Sequence, residues 1–161
     1  MVLIRPGTRV DAEPALVVWR DAYRAERGLP EVDPGHAQHV RDFLGERDSF
    51  LVVADEDGPL VGMAVGTHGR AADGTGPPVP GLMHVKMLFV LPDHWGHGLG
   101  SVLVDVVLDE GRIREYDHAE VWTHVDNLRA QRLYDRKGFL PTGRERRDLA
   151  GDLITQFTRA L

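Results

Sequence analysis

The spacing of apolar residues changes character along the chain, and each change marks an element. Leu16, Trp19, Ala22 and Tyr23 recur at helical intervals. They predict a helix capped by Asp11, running to Arg27 and ended by Gly28. A short strand at Leu3-Ile4 precedes it. Asp33-Pro34, in cap-then-proline order, opens a second helix with Ala37, Val40, Phe43 and Leu44 as its buried stripe. The pattern then turns to short continuous runs. Phe50 to Ala54 and Leu60 to Val65, joined by Asp55-Glu56-Asp57-Gly58, predict a β-hairpin. Thr67 to Gly81 is rich in glycine and proline and reads as a long loop of the functional or disordered kind. Leu82 to Leu91 is the longest strand signal. Gly98 to Arg114 returns to helical spacing through Leu99, Val102, Leu103, Val106 and Val107. Glu120 to Val125 is a strand, and Asn127 to Lys137 a helix capped by Asn127 and closed by Gly138. Phe139 to Thr142 and Leu153 to Thr158 are the final strands. The order β-α-α-β-β-β-α-β-α-β-β predicts an α/β (α+β) fold, a mixed central sheet of about seven strands with helices on its faces.

Composition narrows the class without changing that picture. A chain of 161 residues fits a single domain spanning 1–161. Hydrophobic content of 42% against 27% charged residues suits a globular core rather than disorder. The absence of cysteine excludes disulfides, thiolate metal sites and a cysteine nucleophile together. No apolar run approaches the roughly 20 residues that span a bilayer. The opening Met1-Val2-Leu3-Ile4-Arg5 lacks signal-peptide architecture. The expectation is a cytoplasmic protein with no membrane partner. A net charge of −6 disfavours nucleic acid as a partner.

The candidate chemistry begins where the strongest strand meets the strongest helix. Val90-Leu91-Pro92-Asp93-His94-Trp95-Gly96-His97-Gly98-Leu99-Gly100-Ser101 places three alternate glycines at a helix start. Lacking Cβ atoms, they let backbone N–H groups approach a ligand, and the helix end adds partial positive charge. The combination suits a phosphate or pyrophosphate. A Walker loop would need Lys before its Ser/Thr, and only Ser101 is present. A dinucleotide fingerprint needs G-x-G-x-x-G at the first strand of a βαβ unit, whereas this G-x-G-x-G comes late in the chain.

Gly98-Leu99-Gly100, preceded by Gly96 and entered from Leu88-Phe89-Val90-Leu91-Pro92, resembles the pyrophosphate loop of the GNAT (GCN5-related) N-acetyltransferases, Q/R-x-x-G-x-G/A. Trp95 departs from that pattern, standing where Gln or Arg is usual, with His97 as a candidate substitute for the lost polar contact. A second stretch carries the resemblance further. Asn127-Leu128-Arg129-Ala130-Gln131-Arg132-Leu133-Tyr134-Asp135-Arg136-Lys137-Gly138-Phe139 matches the family's N-x-x-A-x-x-x-Y-x-x-x-G-F at every specified position. Intervals of three and four put Asn127, Ala130 and Tyr134 on one helix face.

The resemblance implies a GNAT fold with four helices and an acyltransferase that uses acetyl-CoA as co-substrate and no metal. It implies that Leu88, Phe89 and Val90 pair with the pantetheine arm where two parallel strands splay. Trp95, Gly96, His97, Gly98, Leu99, Gly100 and Ser101 would meet the pyrophosphate, and Asn127, Ala130 and Tyr134 would line the coenzyme. A backbone N–H near Phe89 would polarise the acetyl carbonyl. Tyr134 is the candidate acid for the leaving thiolate. An alkyl ammonium near pKa ~10.4 is free amine in only roughly one part in 2,500 at pH 7, so a base, a water chain or desolvation must make up the difference. His84, in alternation register with Lys86, Leu88 and Val90, is the candidate base, and His124 its rival. The pairs His36/His39 and His94/His97 lack a third metal ligand. Arg144, Arg146 and Arg147 form a charged turn, either a solvated edge or a contact to the adenosine 3′-phosphate. Asp21, Glu26, Glu31, Asp33 and Asp73 in the acceptor-side segments weakly favour a cationic small-molecule amine such as a polyamine, amino sugar or amino acid. A protein acceptor, a non-catalytic acyl-CoA-binding module and a nucleotide-phosphate binder are the other readings. Dimerisation through late strands is possible in this family.

Overall fold

The computed structural model describes all residues, Met1 to Leu161. Four helices, α1 (Ala12–Arg27), α2 (Pro34–Leu44), α3 (Leu99–Ile113) and α4 (Leu128–Arg136), accompany seven strands. The strands are β1 (Val2–Pro6), β2 (Phe50–Glu56), β3 (Leu60–Arg70), β4 (Pro78–Val90), β5 (His118–His124), β6 (Leu140–Arg147) and β7 (Leu153–Ala160). They form one mixed sheet in the order β1-β2-β3-β4-β5-β7-β6. The chain divides into two compact units, each assembled from separate stretches: Met1–Gly66 with Met87–Val107, and Thr67–Lys86 with Leu108–Leu161.

The first unit pairs β1 with β2 and β2 with β3, both antiparallel. Its core joins Ala15, Leu16, Val18, Trp19 and Tyr23 of α1 and Val40 and Phe43 of α2 to Val53, Met63 and Val65 of the sheet. Trp19 stacks on Tyr23 with ring centroids 5.6 Å apart, and His36 meets both rings edge-on. Complete burial of a side chain such as Val53 or Met63 stabilises the fold by about 1.5–3 kcal/mol. On the other sheet face Leu103 of α3 packs where Gly62 leaves room: a Cβ there would lie 3.0 Å from Leu103 Cδ1.

Local signals placed the helix ends well. Gly28 is left-handed at φ 65°, and Asp33 accepts from the His36 N–H at 3.1 Å. Asp11 departs from expectation, since it makes no side-chain cap bond to α1. Its carboxylate is held by Arg5 at 2.8 and 2.9 Å and by the Thr8 N–H at 2.7 Å. A two-pronged charged partner outcompetes a neutral amide, and Arg5 holds the Asp11 carboxyl down at about 2.

The second unit runs β4 parallel to β5, with register from Leu82↔His118 to Val85↔Val121. β7 lies antiparallel between β5 and β6. Tyr134, Phe139 and Phe157 pack together, Tyr134 and Phe139 at 5.6 Å between ring centroids.

Two further expectations are corrected. The long loop from Thr67 to Gly81 is mostly strand, since β3 continues to Arg70 and β4 begins at Pro78. Gly66, just before it, and Gly69 serve close packing, whereas Gly74 at φ 100° turns the chain in open space. A Cβ on Gly66 would lie 2.2 Å from the Phe50 ring, and one on Gly69 would lie 2.3 Å from Leu82 Cγ. Arg144 to Arg147 is likewise not a turn but the end of β6, paired with β7 through Glu145↔Thr155, Arg146↔Ile154 and Arg147↔Leu153. The register shifts between Pro141 and Glu145, and this irregularity hides the alternation a strand normally displays.

Candidate active site

The predicted loop residues form one continuous turn in the first unit. Val90 closes β4, Pro92–His94 make a single 3₁₀ turn, and α3 starts at Leu99. Gly96 and Gly98 sit at φ 80° and 79°, where an L side chain is strained. A Cβ on either would meet nothing within 4 Å, so the outer side of this backbone is open. The first amides of α3, at Leu99, Gly100 and Ser101, have no acceptor one turn earlier in their own helix. His97 is exposed and Leu88 and Phe89 are half-buried.

The structure explains the tryptophan in the family's polar position. Trp95 Nε1 donates to the carbonyl of Val90 at 2.7 Å, tying the loop back to the strand it leaves. His94 Nε2 contacts Glu56 Oε2 at 2.8 Å, a second tie to the scaffold. A cavity of about 220 Å³ beside the loop is lined by Val2, Ile4, Leu99 and Val102 with His94 and His97. Its walls are mainly aliphatic, which suits an apolar group better than a phosphate.

In the second unit Asn127 caps α4, its side-chain oxygen accepting from the Ala130 N–H at 3.1 Å. Gln131 Nε2 donates to the carbonyls of His124 and Val125 at 3.2 and 2.9 Å, fixing α4 to the end of β5. Tyr134, at 4% exposure, rests on Phe139 and Phe157.

His84 is the register partner of Glu120 across the parallel strands. Its Nδ1 lies 3.5 Å from Glu120 Oε1 yet, though buried, makes no hydrogen bond. Glu120 Oε2 accepts from Gln156 Nε2 at 2.8 Å, and Gln156 Oε1 accepts from Thr142 Oγ1 at 2.9 Å. Burial, reinforced by the positive charges of Lys86 and Arg146, pushes the His84 imidazole down to about 3. Burial pushes the Glu120 carboxyl up, against the opposing pull of the Gln156 hydrogen bond. Trp122, two residues on along the same strand face, carries the Arg146 guanidinium at 4.7 Å from its ring centroid and Arg144 at 5.9 Å. Sequence reading missed Glu120, Gln156 and Trp122 as site residues. The available signal was the parity of β5: Ala119, Val121 and Thr123 are buried on one face, leaving Glu120, Trp122 and His124 on the other.

His124 and His68 have local duties. His124 Nε2 pairs with Asp148 Oδ2 at 3.1 Å, and the ligand-capable atoms of His124, Asp148 and Asp152 lie within 4.8 Å of one another. Asp148 Oδ1 also accepts the N–H groups of Ala150 and Asp152, which builds the β6–β7 turn. His68 Nδ1 contacts the Tyr116 hydroxyl at 2.9 Å.

A mixed seven-stranded sheet with four helices and a glycine turn feeding a helix start is a fold shared with solved GNAT-family structures. Residues 16–139 match the family described as the Acetyltransferase (GNAT) family, and the chain belongs to it. Peptidyl-lysine N-acetyltransferase YjaB of Salmonella typhimurium is 29% identical over 94% of this chain and 92% of its own length. The mycothiol acetyltransferase of Clavibacter sepedonicus is 35% identical over 70% of this chain but only 31% of its own length. That of Beutenbergia cavernae is 40% identical over 35% of this chain and 19% of its own. The chain thus spans less than a third of the mycothiol enzymes it matches. Among solved structures, a GNAT-family acetyltransferase from Staphylococcus aureus Mu50 superposes with TM-score 0.78 at 16% identity, covering 100% of this chain and 99% of that one. YncA from Salmonella typhimurium, solved with its cofactor acetyl-CoA, has TM-score 0.72 at 20% identity, covering 100% and 94%.

Proposed function

We propose that this chain, acting as one domain over residues 1–161, transfers acetyl from acetyl-CoA to the primary amine of a small molecule by direct attack. The observation that carries the reading is the open backbone at Gly96 and Gly98 leading straight into α3, together with the complete Asn127–Phe139 motif. Acetyl-CoA supplies an activated thioester carbonyl. The amides of residues 96–101 bind its pyrophosphate, with Gly96 and Gly98 leaving open the space a Cβ would fill. The backbone of Leu88, Phe89 and Val90, at the end of β4, takes the pantetheine arm. Asn127 and Ala130 line the arm.

The amine nitrogen attacks the carbonyl carbon, a C–N bond forms and the C–S bond breaks. Tyr134 gives its phenolic proton to the departing sulfur. The amine's proton goes to the side of the site built by His84 and Glu120. Magnitude divides their labour. Passing a proton from an ammonium near ~10.4 to an imidazole near 3 is uphill by roughly 10 kcal/mol. Glu120, raised by burial, is the better acceptor, and neutral His84 stands beside it as the positioning partner.

A peptide acceptor is the second reading, favoured by the nearly full-length match to a peptidyl-lysine acetyltransferase. Thiol release from acetyl-CoA across polyamines, amino sugars, amino acids and lysine peptides tests both. Turnover of a small amine supports the proposal. Turnover of lysine peptides alone replaces it with the second reading, and coenzyme binding without any turnover replaces both with a binding module.

A further inference from the structure

Around Glu120 the second unit gathers more positive than negative charge. Arg144 is tied to Asp73 in an ion pair. Arg146 is not so matched. Its Nε is buried with no hydrogen-bond partner, and its Nη1 makes only a long 3.5 Å contact to the carbonyl of Arg147. The guanidinium instead lies over the Trp122 ring, 4.7 Å from the centroid. A guanidinium held over a ring by a cation–π contact spends none of its N–H groups on that contact and keeps them for an anion, which arginine binds as a carboxylate through two N–H groups. Glu120 lies two residues before Trp122 on β5 and His84 is its register partner on β4, with Lys86 and Arg146 close enough to be felt by the imidazole.

A purely cationic acceptor fits this surface poorly. Lys86 and Arg146 bear on the His84 imidazole that an ammonium must approach and Arg146 bears on Glu120 as well, while Asp73 offsets Arg144. Lys86 is exposed and Arg146 half-buried, so the repulsion is that of like charges at a half-buried surface, weaker than in a dry interior but unfavourable. A molecule carrying its own anion near the amine turns that repulsion into attraction and supplies the acceptor that Arg146 lacks.

We infer that the acceptor is an amine that also bears a carboxylate, an amino acid in the chemical sense, whose carboxylate pairs with Arg146 over Trp122 while its amine faces Glu120 and His84. This inference rests on the acetyl-transfer reading and narrows its substrate class. The reaction is balanced as before: the free amine forms the C–N bond, its proton passes to Glu120, and the thiolate leaves with the Tyr134 proton. The product is an N-acetyl amino acid, which has lost the positive charge but kept the negative one.

Matched acceptors decide the matter. kcat/KM is measured by thiol release for a series of amino acids, their carboxamides and their decarboxylated amines, alongside polyamines and lysine peptides. The wild-type protein favours the acid over its amide by ten-fold or more, mainly through KM. Arg146→Gln brings that ratio close to one, Arg146→Lys restores part of it, and Arg147→Gln, altering an exposed neighbour that donates to the Gly151 carbonyl, leaves it in place. Amides or decarboxylated amines that match the acids in the wild type overturn the inference while leaving acetyl transfer intact. So does an acid-to-amide ratio that survives in Arg146→Gln. Absence of turnover with every amine in the panel overturns the acetyl-transfer reading itself.

Discussion

The His84 imidazole offers a quantitative test of how the second unit is packed. Its value falls from the ordinary 6.5 to about 3, chiefly because burial strips water from the charged form, with Lys86 and Arg146 adding repulsion. Folding therefore excludes the proton. The associated stability is fully present above pH 6.5 and drains away as pH falls toward 3. At ~1.36 kcal/mol per pH unit the full interval is about 4–5 kcal/mol, and the part lost between neutrality and pH 4.5 is about 2.7 kcal/mol. The side chain is 19% exposed, too little for solvent to screen most of this. Glu120 acts with the opposite sign: its raised value favours the folded state below its ordinary 4.5, and that contribution fades as pH rises through the folded value. The term is common to wild type and a His84 variant and cancels in their difference. Urea unfolding of wild type and His84→Gln at pH 7.5 and 4.5 gives the comparison. Wild type is expected to lose about 2–3 kcal/mol more than the variant over that interval. Parallel losses would refute the buried, neutral histidine and the charge arrangement drawn around it.

Tyr134→Phe is expected to lower kcat ten-fold or more while acetyl-CoA binding, followed calorimetrically, persists; an unchanged rate removes the phenol from the chemistry. Gly98→Ala puts a methyl into open space at φ 79°. It costs about 1 kcal/mol of backbone strain, seen as a small drop in Tm, while the Kd for acetyl-CoA rises at least ten-fold because the methyl stands where the pyrophosphate approaches. Gly66→Ala has the reverse signature. Its Cβ would fall 2.2 Å from the Phe50 ring, so unfolding free energy should drop by about 1–3 kcal/mol with little change in coenzyme affinity measured below Tm.

The features legible in the chain were those set within a few residues of themselves. Helical periodicity, the Asp33 and Asn127 caps, the left-handed Gly28 and Gly138 and the glycine turn after β4 all depend on neighbours within about one helical turn. That is why two local motifs sufficed to indicate the family. Glycine misled where it acted at a distance: in β3 it makes room for Phe50 and Leu82 rather than ending the strand. Asp11 looked like a helix cap until Arg5, on a separate strand, took its carboxylate. The arginines of β6 looked like a solvated turn because a register shift masks their alternation. The pairing of His84 with Glu120, the bond from Gln156 and the seat of Arg146 over Trp122 join residues that are distant in sequence. Strand register alone decides which of those side chains meet, and in a sheet a slip of one residue would turn each of them to the opposite face.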